Sequence, residues 1–349
     1  MTPTSTLQNR TYRLRRRPVT DLSDGALEFA TEALEVDLAE GEVLLRNLYL
    51  SLDPTNRIWA SDYRGYMPPV PLDDVMRGVC MAEVLESRRE DLPVGAKVVS
   101  SSGWQDYCVA SDESLGIPIA ALPDPVPAPL STFVGVLGHN GATAYIGFEL
   151  GPVKAGETVV VSGAAGATGS VAGQIAKARG ARVVGIAGGP AKCEHVVKHL
   201  GFDACVDYKA DDWRDQLDHA TPDGIDVDFE NVGGEIMDHV LSRLNIGARV
   251  LLCGMISQYN DYGHKELPGQ HQIAQILMQR ATMAGFLVLD HAELFEPAAM
   301  YLVGLMMEGK LVYDETVVDG LENAVAAYDQ LYSGGNLGKL VVKVADPST

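Results

Sequence analysis

Val159-Val160-Val161-Ser162-Gly163-Ala164-Ala165-Gly166-Ala167-Thr168-Gly169-Ser170 decides the fold. An apolar run short enough for a buried strand enters a loop of small residues, and helical spacing begins at once and continues to Arg179. Gly180 is a natural helix stop. The loop reads AxGxxG from Ala164, one residue away from the dinucleotide fingerprint GxGxxG. In such a loop Gly166 lets the backbone approach a pyrophosphate, and Gly169 lets the helix pack closely on the strand. The helix N-terminus offers free N–H groups and the positive end of its dipole to the phosphates.

The pattern repeats outward from this unit. Strand-like pieces at 182–186, 204–207, 226–230, 250–252 and 283–288 alternate with helical pieces at 191–200, 211–220, 234–244, 270–279 and 292–308. Six strands alternating with helices predict a doubly wound parallel Rossmann sheet over residues 133–312. Residues 1–132 read differently, as short strands (43–45, 48–50, 79–85, 97–99, 107–109) separated by turn formers such as Asp53-Pro54 and Pro68-Pro69. That texture predicts a mostly β, barrel-like substrate domain. Residues 313–349, with a helix over 321–332, are expected to return to it.

The second sheet strand selects the nucleotide. An NAD site places Asp or Glu about twenty residues past the glycines, on the ribose 2′-hydroxyl. Here the strand ends Ala187-Gly188-Gly189-Pro190 with no carboxylate; Lys192 follows, and Tyr208 ends the next strand. A lysine there can pair with a 2′-phosphate, so the residues favour NADPH.

Charge and cysteine content exclude other classes. A net charge of −20 argues against nucleic acid and against an anionic membrane surface. Arg10, Arg13, Arg15, Arg16 and Arg17 run into Asp21, Asp24, Glu28 and Glu32 rather than into an apolar core, which suits a solvated strand and not a signal peptide. The five cysteines (Cys80, Cys108, Cys193, Cys205, Cys253) are scattered and lack CxxC spacing. That indicates a reducing cytoplasm and neither a disulfide framework nor a zinc site.

With these residues in view, the chain resembles the zinc-independent medium-chain reductases that include prostaglandin reductase (leukotriene B4 12-hydroxydehydrogenase), 2-alkenal double-bond reductases and curcumin reductase. The markers are Arg46 through Pro54 (RNLYLSLDP), Met76-Arg77-Gly78, Gly103-Trp104-Gln105-Asp106-Tyr107, Asn231-Val232-Gly233-Gly234, Cys253 through Asn260 (CGMISQYN) and Asn336-Leu337-Gly338-Lys339. The resemblance implies a GroES-like first domain, a homodimer, and NADPH-dependent reduction of the activated C=C bond of an enone or enal. Reduction of a quinone by the same cofactor is the alternative. It also implies cofactor contacts from Thr143, Ala165, Gly166, Ala167, Thr168, Gly169, Lys192, Tyr208, Asn231, Cys253, Gly254, Met255, Ile256, Ser257, Tyr259, Phe286, Leu287, Val288 and Asn336.

Tyr259 is the candidate catalytic residue: hydride arrival at the β-carbon creates an enolate, and a hydroxyl aimed at that oxygen stabilises it. It could instead only pack on the ribose. Asn56, Tyr63, Tyr66, Met67 and His139 are candidates for the substrate pocket, although the aromatic group could be an ordinary patch and His139 a loop histidine bonded to backbone. Two segments depart from the family pattern. Pro54-Thr55-Asn56-Arg57 stands where relatives carry Pro-Tyr-Met-Arg, and Gly138-His139-Asn140-Gly141 where they carry Gly-Met-Pro-Gly. Where zinc-binding relatives carry a catalytic cysteine, this chain has Trp59-Ala60-Ser61-Asp62, with no thiolate. No metal is expected in the reaction, so cofactor turnover should be unchanged by a strong chelator; loss of turnover that zinc restores would refute the reading.

Overall fold

The computed structural model of the chain describes residues 5–262, 267 and 269–348. The chain opens with an antiparallel hairpin of two ten-residue strands, β1 (Ser5–Leu14) and β2 (Leu27–Val36). β1 shows no clean alternation in sequence, because its arginines interrupt it. The arginines on and after β1 are held by acids from elsewhere: Arg10 by Asp106, Arg13 by Glu32, Arg15 by Glu28, Arg16 by Asp24 and Arg17 by Asp62.

β3 (Val43–Ser51) is one continuous strand where two short ones were expected, and its residues are almost wholly buried. A one-turn helix, α1 (Thr55–Trp59), follows at Asp53-Pro54. Next come β4 (Cys80–Ser87), β5 (Lys97–Ser100), β6 (Tyr107–Ala110), the short helix α2 (Asp112–Leu115) and β7 (Ala120–Ala121).

The helix α3 (His139–Leu150) leads into the parallel sheet. Its strands are β8 (Thr158–Ser162), β9 (Arg182–Ala187), β10 (Ala204–Asp207), β11 (Ile225–Glu230), β12 (Leu244–Leu252) and β13 (Thr282–Gly285). Between them run α4 (Ala167–Ala178), α5 (Pro190–Lys198), α6 (Trp213–Ala220), α7 (Gly234–Ser242) and α8 (Ala274–Met278). The strand order is β10-β9-β8-β11-β12-β13, all parallel, with its reversal at β8 and β11. Ligands of doubly wound sheets bind at such a switch point, outside the carboxyl ends of the strands.

Two expected helices differ. Only Ala274–Met278 of the 270–279 stretch is helical. The 292–308 helix begins as 3₁₀ turns over Val288–Leu294, broken at His291, before α9 (Phe295–Met307). The chain then returns to the first sheet: β14 (Glu315–Asp319), the helical turns α10 (Ala324–Tyr328) and α11 (Gln330–Ser333) in place of one 321–332 helix, and β15 (Lys339–Lys343), which pairs antiparallel with β3.

The glycine loop shows how its missing glycine is replaced. Gly163, at φ +63°, makes the turn one residue early. Ala164 then fits because the facing residue on β9 is Gly185, where a Cβ would lie 2.8 Å from the Ala164 methyl. Gly169 is obligatory, since a Cβ there would sit 2.4 Å from the Gly163 carbonyl oxygen.

β11 carries an unusual burden. Val227 and Phe229 face one hydrophobic layer, so Asp228 and Glu230 point to the other side, and both are fully buried. Glu230 Oε1 accepts from Ser162 Oγ (2.6 Å) and from the N–H groups of Val232 (2.5 Å) and Gly233 (2.9 Å), which shapes the loop after β11. Neither carboxyl oxygen of Asp228 has a partner among the described residues. Burial, with Glu230 nearby, raises the Asp228 carboxyl well above the usual aspartate range, so Asp228 holds the proton of the pair. A pKa raised by folding contributes stability that is complete below the unfolded value, about 3.9, and is lost as pH rises through the folded value. Asp228→Asn removes that dependence. Its urea midpoint should therefore gain on the unmodified chain as pH rises from 5 to 9, by the equivalent of about 1–3 kcal/mol; a difference that does not vary with pH would show that Asp228 does not carry the proton.

Candidate active site

The cleft lies where the parallel-sheet strand ends meet α1 and its neighbouring loops. On the nucleotide side, the backbone after β11 and β12 is pinned: Gly254 N–H donates to Glu230 O (3.0 Å), Ile256 N–H to Asn231 O (3.1 Å) and Ser257 N–H to Val232 O (3.0 Å). Asn231 Nδ2 donates to Ser162 O at 2.7 Å, and Ser257 Oγ to Val232 O at 2.6 Å. The Cys253 thiol is pushed up to about 12 by burial, so it is no nucleophile.

Tyr259 lies in a 3₁₀ segment (Ile256–Asp261), and its phenol oxygen accepts the Met255 N–H at 2.9 Å. The absence of a side chain at Gly254 makes room, since a Cβ there would come within 3.0 Å of that oxygen. Burial raises the Tyr259 phenol above its ordinary range. The group is therefore neutral near pH 7, with its O–H proton available to a further acceptor.

An aromatic wall crosses from one domain to the other. Tyr63 stacks on Tyr262 (centroids 4.2 Å apart), Tyr262 touches Tyr259 (5.4 Å), and Trp59 meets Tyr66 edge-on (6.4 Å). Tyr66 also bonds Thr55 Oγ1. Tyr63 and Tyr66 are exposed, while Met67 packs behind them on the core of the first sheet. Arg57 Nη2 donates to Asn260 O (3.2 Å) and Pro18 O (3.2 Å), holding the Tyr259 loop against α1.

Below this wall lies a buried ionic network centred on Asp53. Lys339 Nζ donates to Asp53 Oδ1 (2.8 Å) and Leu52 O (2.8 Å). His139 Nε2 lies 3.2 Å from the same carboxylate oxygen, and Asn140 Nδ2 donates to it at 3.3 Å. Ser51 Oγ donates to Oδ2, and Asp53 N–H donates to Asn56 Oδ1 at 2.9 Å. Burial opposes the Asp53 charge, yet Lys339 and His139 hold its carboxyl well below the ordinary range. His139 and Asn140, the second departure from the family pattern, thus converge on the Asp53 carboxylate, while Asn56, from the first, binds the Asp53 backbone N–H.

Several sequence expectations shift accordingly. Asn56 does not line the cleft: it is fully buried, and its Nδ2 donates to Arg77 O (3.0 Å). His139 opens helix α3 and bonds a carboxylate, where a loop histidine bonded to backbone had been the alternative. Thr143 Oγ1 is spent on His139 O at 2.6 Å. Phe286 turns inward, edge-on to Phe229 at 6.2 Å, and Val288 packs with Ala142, Ile146 and Ala298. Leu287 precedes the first 3₁₀ turn and remains beside the strand end.

The glycine loop touches the returning chain. Gly338 N–H donates to Ala165 O at 2.9 Å, Gly166 bridges Gly338, and buried Asn336 donates to Gly338 O at 3.1 Å. Ala167 begins α4, and Thr168 Oγ1 accepts from Asn140 Nδ2 at 3.5 Å.

At the ends of β9 and β10 a second lysine joins Lys192. A Cβ on Gly334 would lie 3.7 Å from Lys192 Nζ and 3.8 Å from Lys209 Nζ, so both ammonium groups border that glycine. Burial, and then the Lys209 charge, lower the Lys192 ammonium. Gly188 admits Tyr208, whose ring would lie 2.9 Å from a Cβ there. Two crowded ammonium groups beside an aromatic ring suit a phosphate next to an adenine. Lys209 was legible only as the residue after Tyr208, since its approach to Lys192 is tertiary.

The donor set of the cleft does not suit zinc. Ala60, Ser61 and Asp62 bring no thiolate, and Cys80 is buried with its thiol pushed up to about 12 by desolvation. Asp53 is committed to Lys339.

Comparison with known proteins agrees with this anatomy. The N-terminal domain of oxidoreductases matches residues 10–117, and the domain described as zinc-binding dehydrogenase matches residues 167–303. The NADPH-dependent curcumin reductase of Escherichia coli is 43% identical over 313 residues, 88% of each chain. The NADP(+)-dependent 2-alkenal reductase of Nicotiana tabacum is 38% identical over 93% of each. The crystal structure of CurA from Vibrio vulnificus in complex with NADPH superposes with a TM-score of 0.88 at 40% identity, covering 97% of this chain and 100% of that one. The chain belongs to the medium-chain reductase family that includes the curcumin, 2-alkenal and prostaglandin reductases.

Proposed function

We propose that this chain reduces the activated C=C bond of α,β-unsaturated ketones or aldehydes with NADPH. The observation that carries the reading is the Tyr259 hydroxyl, which accepts the Met255 N–H and so keeps its own proton free for a substrate oxygen, beside the aromatic wall. NADPH, when bound, supplies the hydride. The glycine loop and the N-terminus of α4 hold its pyrophosphate, and Lys192 with Lys209 hold the 2′-phosphate. Tyr63, Tyr66 and Tyr262 cover the substrate plane and exclude water. Tyr259 donates to the carbonyl oxygen as enolate charge develops, and this donor gains strength in a cleft of low dielectric. The five free thiols suit a reducing cytoplasm, where we place the protein as a homodimer whose reaction needs no zinc. Among the described residues no helix is long and apolar enough to cross a membrane.

The two lysines set the nucleotide preference. Lys192→Ala and Lys209→Ala should each weaken NADPH about ten- to a hundredfold, the loss of a charged hydrogen bond worth about 1.5–3 kcal/mol, while NADH affinity stays nearly unchanged. Equal losses for both nucleotides would remove the 2′-phosphate assignment.

Tyr259→Phe keeps the ring and deletes the donor. For an enone, kcat should fall about ten- to a thousandfold with NADPH affinity preserved, and a quinone should be less affected. Enone reduction at the unmodified rate would exclude the hydroxyl from the chemistry, and quinone turnover without any enone product would favour quinone reduction as the activity.

A further inference from the structure

Outside the cleft, the described residues bring three metal-ligating side chains together at one place. His195 and His199 stand four residues apart, on the last turn of α5 and just past its end, so they share one side of the helix. Their rings lie 4.7 Å apart. Asp314, at the entry to β14, reaches them from the returning chain: its Oδ2 is 2.8 Å from His195 Nε2, and its Oδ1 is 3.6 Å from His199 Nε2. One ligand atom from each residue falls within 4.8 Å of the other two.

We propose that His195, His199 and Asp314 form a zinc site that clasps the nucleotide-binding domain to the returning chain. Two imidazoles and a carboxylate are the ligand set of borderline divalent metals, and Zn²⁺ takes N and O ligands at about 2.0–2.2 Å in a tetrahedron. Ligand atoms in such a sphere are roughly 3.3 Å apart, so the triad needs to open slightly at His195 and close slightly at His199. A water would fill the fourth position.

The backbone that carries Asp314 is fixed. Lys339 N–H holds the Asp314 carbonyl at 2.8 Å, and Gly338 permits that approach, because a Cβ there would lie 2.0 Å from the Asp314 oxygen. The His195 imidazole is carried by the last turn of α5, and His199 is the residue that caps that helix. Side-chain exposures of 21%, 48% and 26% for His195, His199 and Asp314 leave a path for the ion from solvent. The site shares no residue with the cleft.

The test uses the full chain, stripped with a chelator and dialysed, without nucleotide. Calorimetric titration with ZnCl₂ should show one ion per chain at micromolar Kd, and thermal unfolding should rise by a few degrees at saturating zinc. MgCl₂ should do neither, since Mg²⁺ prefers oxygen ligands. His199→Ala, a half-exposed position, and Asp314→Asn should each weaken zinc at least tenfold. Cys205→Ser, which removes a thiol 3.0 Å from Cys193, and His239→Ala should leave it intact. Absence of stoichiometric binding overturns the proposal. So does binding that survives both His199→Ala and Asp314→Asn, or that disappears with Cys205→Ser.

Discussion

The buried pair of Asp53 and Lys339 is the constraint on which the site depends. Asp53 follows β3, whereas Lys339 begins β15 and lies one residue beyond Gly338, which bonds the glycine loop. His139 and Asn140 bring the start of α3 to the same carboxylate, and Asn140 extends the connection to Thr168. A single charge thus ties the substrate-side sheet, the first helix of the nucleotide domain and the loop that would hold the pyrophosphate. Breaking one side of such a pair strands a desolvated charge, which in buried pairs costs about 3–5 kcal/mol. The geometry of the cleft is therefore set by electrostatics in a dry interior as much as by packing.

The chain is acidic overall, yet its charge is distributed with purpose. The arginines of the first hairpin are each answered by a carboxylate, so that surface presents little uncompensated positive charge. Lys192 and Lys209 stand near each other instead, so that a phosphate between them would relieve their repulsion. An acidic exterior with a local cationic pocket suits a protein that selects one anionic nucleotide and repels polyanions.

Asp228 and Glu230 show a different use of buried charge. Glu230 spends one carboxyl oxygen on the loop that carries Asn231 and Val232, and so fixes the backbone that follows β11. Asp228, two residues earlier on the same face, bears the desolvation cost of that arrangement. Both positions lie at the switch point of the sheet, where binding crevices form.

The Rossmann half was legible because its signals are local: a buried strand, a small-residue loop and a helix stop follow one another in sequence, and the alternation repeats six times. Even the irregular fingerprint was readable, although Gly185, the residue that lets Ala164 fit, sits on the neighbouring strand and could be found only by pairing β8 with β9. The missing acid and Lys192 likewise spoke for the nucleotide without any coordinates. The arginine stretch was legible as a solvated strand, but its pairing with β2 was not, because only folding shows which carboxylates answer the arginines. The Asp53 network was hidden for the same reason, although a lysine inside Leu337-Gly338-Lys339-Leu340-Val341 is a signal that a buried acid must answer it. Residue types and their order determined the fold and the class of cofactor; which polar groups face the cleft and which are spent on one another was decided only by the tertiary structure, because burial leaves a charge no partner but the one that folding delivers.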